Sequence, residues 1–284
     1  MRTRDKYGLW LMIAMFAPLA HFGDCGYVAM CCAVLAFLPL SLLVRGKQRK
    51  VGRTFSFLRW IWLLVVLSQL LPHASAYWMG GGKAVPLTLL ALAAWGASGE
   101  RAERTGNVIF WLTLPVLVLF SALAVQKIET VWLMPEAGEW SAGLIVGLLL
   151  PALPGKAHNL KGRMLAIIGI TTVGLAMLIQ GCLSLRVAQI EEAPLYTVGR
   201  TVGGGVEILV SVGITLSWYA LCNTMIDSAT ALTENMGIAH KWGRWLSALV
   251  TSVLIVGDCQ ISGIILVLSC LLLWIILPLI RLKK

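Results

Sequence analysis

Residues 45–78 read RGKQRKVGRTFSFLRWIWLLVVLSQLLPHASAYW. Arg45, Lys47, Arg49, Lys50, Arg53 and Arg59 crowd the first half, whereas Ile61 to Trp78 contains no Lys, Arg, Asp or Glu. A crossing of the bilayer core takes about 20 apolar residues as a helix, and clustered Lys and Arg mark its cytoplasmic end. The stretch therefore reads as a transmembrane helix over Phe57 to Trp78 with its basic end inside the cell.

Working outward, the same reading predicts about ten transmembrane helices. They are Leu9 to Phe22, Gly26 to Val44, Phe57 to Trp78, Ala84 to Ala97, Asn107 to Val125, Trp140 to Leu153, Arg163 to Leu185, Val206 to Ser228, Trp242 to Gly257 and Ser262 to Leu282. With a cytoplasmic N-terminus, only Lys83, Lys127, Arg186 and Arg200 of the 23 basic residues fall outside. One helix too many or too few would invert every later loop, so the bias supports the count as well as the direction. Both termini are expected in the cytoplasm, and the basic start followed by an apolar run reads as an uncleaved first helix.

Composition excludes a soluble globule. The chain of 284 residues is 58% hydrophobic and 13% charged, with a mean hydropathy of +0.84, too little polar surface to cover a water-soluble fold. The net charge of +10 lies in short loops beside apolar segments, where it meets anionic headgroups, so a nucleic-acid partner is not expected. Seven cysteines, an odd number, lie mostly within apolar segments as small buried hydrophobes. A Cys25–Cys259 disulfide is conceivable at the outer helix ends, and His21 with Cys25 has a metal-like spacing without a second pair to complete a site. No metal, cofactor or enzymatic activity is expected, because no nucleophile elbow, phosphate loop or metal motif is present.

Three of the ten helices are short. Each is either tilted in a thin bilayer or discontinuous around a polar cavity. A cut near residue 130 leaves five helices in each half, 1–130 and 131–284, within one transmembrane domain. A short Gly/Pro-interrupted helix then opens each half: Leu9 to Phe22 with Pro18, and Trp140 to Leu153, preceded by Gly138 and carrying Gly143, Gly147 and Pro151. Five helices per half force opposite orientations, so the expectation is a five-plus-five inverted repeat with discontinuous first and sixth helices.

Several stretches carry a family resemblance. They are Phe16-Ala-Pro-Leu, the aromatic Arg59-Trp-Ile-Trp with Gln69 beyond it, and Ala193-Pro-Leu-Tyr-Thr-Val-Gly-Arg-Thr-Val-Gly-Gly-Gly-Val-Glu-Ile-Leu-Val. Together they resemble the permease-like B subunit of spore germinant receptors, a branch of the amino acid-polyamine-organocation superfamily. The resemblance implies the same five-plus-five fold with broken first and sixth helices. It also implies the sensing of a small nutrient, often an amino acid, in the inner membrane of an endospore, together with partner receptor subunits.

Candidate ligand-binding residues follow from polar groups at membrane depth, which are costly to bury. Gln69 and His73 are four apart and so share one face of a helix, although interhelical hydrogen bonding explains them equally well. Glu207, Ser211, Thr215, Trp218 and Asn223 fall near helical spacing, with Glu207 placed either to hold an ammonium group or to reach interfacial water. If helix six is broken, N–H groups of Gly138 to Gly143 would face Ala17 and Pro18 and hold a carboxylate, while the ligand side chain meets Gln69 or Trp218. His21 and Asp24 read as an outer turn, Asp227 as an inner-end residue facing headgroups and water, and Asp258 as an outer-turn residue. Three functions remain open on these residues: a nutrient-sensing receptor subunit, a secondary amino acid transporter, and a non-binding structural subunit of a membrane complex.

Overall fold

A computed structural model describes residues 26–32, 34–35, 52–78, 82–96, 100–135 and 162–259, with isolated positions 265, 268, 269, 272 and 273. All regular structure among the described residues is helical. Residues 26–32 and 34–35 are helical, and the helices that follow are, in chain order, α1 (Arg53–Leu70), α2 (Ala84–Trp95), α3 (Glu100–Val125), α4 (Gly162–Ile190), α5 (Pro194–Val202), α6 (Val206–Asn235) and α7 (His240–Val256), with a short 3-10 turn at Thr130–Leu133 between α3 and α4. Four stretches, Arg53–Tyr77, Val108–Val125, Gly169–Ile190 and Val206–Asn235, are long and apolar enough to cross a membrane, which fits a membrane protein. The predicted first and sixth helices, with Ala17, Pro18, Gly138 and Gly143, lie outside the described residues.

α1 does not end where its α-helical hydrogen bonds do. It continues as a 3-10 helix over Leu71–Tyr77 with Pro72 at its start. Pro72 has no N–H to donate to the preceding turn, and the chain tightens into three residues per turn instead. α2 has 12 residues, a length of about 18 Å against a hydrocarbon core of about 30 Å. α3 begins at Glu100, about two turns before the expected Asn107, and carries Pro115 in its interior.

α6 is the spine. It packs against α1, α2, α3, α5 and α7, and Ile214, Trp218, Ala220, Cys222, Ile226 and Ala229 along it are fully buried. The sequence ends this helix at Ser228, whereas it runs to Asn235. Polar residues at its end are satisfied locally: Ser228 Oγ, Thr230 Oγ1 and Thr233 Oγ1 donate to carbonyls one turn back. Hydroxyls bonded this way cost a helix little, so a polar tail is compatible with continued helix.

Helix ends meet as alternating directions require. Lys83 Nζ, just before α2, bonds Asp258 Oδ2 at 2.9 Å and Val256 O at 3.0 Å, just past α7. At the opposite end of the same pair, Arg244 near the start of α7 donates to Ala93 O near the end of α2. Trp78 Nε1 beyond α1 bonds Thr215 Oγ1 in the first half of α6 at 2.7 Å, and Cys182 Sγ of α4 approaches Ala124 O of α3.

The connection between the expected helices Arg163 to Leu185 and Val206 to Ser228 is mostly helix: α4 extends through it to Ile190 and α5 occupies Pro194–Val202. It is not a separate unit, because Leu195 and Val198 of α5 are fully buried in the common core. Among the glycines of the described residues, the closest approach to a neighbouring helix is at Gly243 of α7, where any Cβ would overlap Thr233 Oγ1 of α6 and touch Thr233 Cβ at 3.2 Å. We expect Gly243→Val to push these helices apart and to destabilise the fold by about 1–3 kcal/mol, read as a lowered melting temperature in detergent. An unchanged melting temperature would show that α6 and α7 do not cross this closely.

Candidate functional site: the polar interior around α6

Glu207, Ser211, Thr215 and Trp218 occupy positions 0, 4, 8 and 11 of one helical face, so α6 presents them as a strip. The hydroxyls of Ser211 and Thr215 donate backwards to Glu207 O at 2.9 Å and Ser211 O at 2.7 Å. Thr215 Oγ1 also accepts from Trp78 Nε1, which ties the 3-10 extension of α1 to the strip. Their protons are spent within the protein, leaving acceptor lone pairs.

Two groups in the strip differ. Trp218 is 0% exposed and its Nε1–H, a donor only, has no acceptor among the described residues. Glu207 is half-buried, and its Oε2 is shielded from solvent without a partner among the described residues. Their helical positions are 11 residues apart, about 16 Å along the axis. One amino acid cannot use both as backbone contacts, so the expected set of Glu207 with Trp218 separates into two places. Thr113 Oγ1, on α3 where that helix meets Gly213 of α6, is a third buried group without a partner among the described residues.

Gln69 and His73 are both half-buried on the stretch that packs against α6, and each has interactions of its own. The shared face expected for them is corrected by the change of helix type. α1 ends at Leu70 and His73 lies in the 3-10 turn, where the eclipsed spacing is three residues, not four. The two side chains are therefore set about a quarter-turn apart.

One heavily engaged polar side chain is a basic residue that the sequence reading counted among the loop charges at the membrane surface. Arg244 is 4% exposed. Its Nη1 donates to Asp227 Oδ1 at 2.8 Å, and its Nη2 donates to Asn223 Oδ1 at 2.7 Å and to Ala93 O. Its Nε–H is buried with no acceptor among the described residues. Asp227, expected to face headgroups and water, turns inward to this guanidinium, and its side chain is 22% exposed. Arg59, another presumed surface anchor, is 4% exposed, donates through Nε and Nη2 to Leu273 O at 3.2 and 3.0 Å, and lies 4.9 Å over the Phe55 ring. A sequence signal for the first pair existed. Asp227 lies eight residues before the end of α6 and Arg244 four after the start of α7, an axial offset of about 6 Å that the long arginine side chain spans across the helical hairpin.

Gln180 is a second missed residue. Its Nε2 donates to Trp132 O at 2.9 Å and Met134 O at 3.2 Å, while its Oε1 accepts from Tyr27 N at 3.3 Å. Tyr27 Oη closes the cluster by donating to Leu133 O at 3.0 Å. With both amide protons used and its oxygen occupied, Gln180 fastens α4 to two other segments. Among the described residues, no three His, Cys, Asp or Glu side chains come together in a way that could hold a metal ion.

No protein-family model matches the sequence, and no curated protein is significantly similar to it.

Breaking a buried ion pair from one side leaves an uncompensated charge, whereas replacing both partners by apolar groups does not. Arg244→Met is therefore expected to destabilise the protein by about 3–5 kcal/mol, and R244M/D227L to recover part of that loss. A double-mutant cycle on detergent unfolding measures the coupling, and additive effects would show that the pair is not formed in the folded protein.

Proposed function

We propose that this chain is a permease-like membrane subunit that binds a small nutrient, with an amino acid as the leading candidate. It acts as a sensing subunit in the manner of the germinant-receptor B subunits it resembles, within a multi-pass membrane setting with both termini in the cytoplasm. The observation that supports this reading is the indole of Trp218. A fully buried N–H that finds no acceptor among the described residues loses its hydration without recompense, at a cost of about 1–3 kcal/mol. A carboxylate or carbonyl oxygen of a bound ligand would remove that cost, and the half-buried Gln69 and His73 lie on the segment packed against the same helix.

Glu207 serves this reading as a second, more external group, about 16 Å away along α6, and not as a partner in the same contact. Ser211 and Thr215 line the interval as acceptors, which suits a ligand that carries donors of its own. Ala17, Pro18, Gly138 and Gly143 belong to the proposal through the expected broken helices. Partner subunits of the receptor would read out the bound state.

The test is thermal stabilisation of the purified protein across amino acids, nucleosides and sugars. A ligand present at 100 times its Kd stabilises the folded state by about 2.7 kcal/mol, so one class is expected to raise the melting temperature. Trp218→Phe removes the N–H together with part of the ring, so the cavity it leaves is expected to lower the unliganded melting temperature, and measured against that lower baseline most of the ligand-induced rise is expected to be lost. A rise that survives Trp218→Phe would move the ligand elsewhere. No rise with any class, for folded protein assayed alone and with its receptor partners, would favour the structural-subunit reading. Uptake of the stabilising ligand into proteoliposomes would favour the transporter reading.

A further inference from the structure

The connection between α4 and α6 carries features that ligand binding at Trp218 does not use. Near the end of α4 the helical ladder is opened: Gly181 O accepts from Glu129 N at 2.9 Å, and Ser184 takes φ 55, ψ 156, a region nearly reserved for glycine. At the far side, Gly203, Gly204 and Gly205 have φ of 83, 70 and 78, left-handed values that side chains resist. α5 lies between these two joints. Thr197 Oγ1 bonds Glu191 Oε2 at 2.9 Å, so the segment before α5 is tied to the helix itself.

α5 seats directly on the first turn of α6. A Cβ at Gly199 would come 2.9 Å from Glu207 Cα and 3.4 Å from Glu207 Cβ, so no larger residue fits the seated position. The Oε2 of the same Glu207 is shielded from solvent without a partner among the described residues. Seating α5 buries Leu195 and Val198, which favours closure, while a carboxylate oxygen left buried and unpaired carries a desolvation cost that contact with water relieves. A nine-residue helix is not stable by itself, so it holds its shape only against the core or through its local bonds.

We propose that α5 is a hinged cap that turns about Ser184 and the Gly203–Gly205 turn, closing on α6 through Gly199 and opening to expose Glu207 to water. This inference does not depend on what binds at Trp218. In a background with the seven native cysteines replaced, E207C in native membranes should react slowly with a membrane-impermeant maleimide. Adding Gly199→Val, which cannot seat, should raise the rate roughly tenfold or more. Equal rates in two folded proteins, or no reaction in either, would overturn the cap. Should Gly199→Val fail to fold, hydrogen exchange on the unaltered protein takes its place. The amides of Leu195 to Val202 should exchange as a group at least about tenfold faster than those of Val210 to Trp218, and equal protection would overturn the proposal.

Discussion

The burial of one guanidinium organises the centre of this molecule. Arg244 reaches from α7 across to Asn223 and Asp227 of α6 and to the carbonyl of Ala93 in α2. A buried charge is tolerable only when it is paired and hydrogen-bonded, and the three acceptors come from two different helices. Neither helix can shift along its axis without stranding the charge. The same bonds answer the question that a helix as short as α2 poses. Its last carbonyls have no partner within the helix, and at this length they would lie within the apolar depth of a bilayer. Arg244 supplies a donor to one of them, with a positive charge set against the negative end of the helix dipole.

The other end of the α2–α7 pair, at Lys83 and Asp258, is held differently. Lys83 and Asp258 are exposed, with side chains 47% and 73% accessible, and an exposed ion pair contributes little by itself. Most of the register between these helices therefore depends on the buried end. Close glycine contacts do the remaining work there. Gly243 lets α7 approach Thr233, and Gly96 allows the end of α2 to sit against Tyr219 Oη, where a Cβ would fall at 2.9 Å. Charge sets the register, and the absence of side chains at these glycines sets the distance.

Helical segments were legible in the sequence because hydropathy and loop charge are local properties, and α1, α2, α6 and α7 start within a few residues of their expected positions. What was not legible depends on partners distant in sequence. Asp227 looks like a surface carboxylate until Arg244, 17 residues away, is folded against it. Arg59 looks like a headgroup anchor until Leu273, 214 residues away, offers its carbonyl. Gln180 lies in an apolar run whose spacing gives no hint of the three backbone groups it joins. The candidate strip on α6 was recovered as a face because periodicity is local too, but its division into two separate places is a matter of rise along the axis. Gln69 and His73 were misjudged for a related reason: a proline altered the helix type between them.

Polar groups inside this bundle fall into two kinds, and the distinction bears on where function lies. Gln180 has every amide hydrogen committed, and a satisfied buried network rigidifies what it joins. Trp218 Nε1 and Glu207 Oε2 are buried without partners among the described residues, at the cost that desolvation imposes on any such group. Both lie on the one helix that touches nearly every other, so any change that satisfies them is transmitted through α6. On the strip between them, Ser211 and Thr215 donate to carbonyls of their own helix, so the two unsatisfied groups stand at either end of a satisfied interval. Arg244 holds α6 at Asn223 and Asp227, more than a turn beyond Trp218, so the restraint and the unsatisfied groups occupy different turns and a local event at Glu207 or Trp218 need not break the buried charge network.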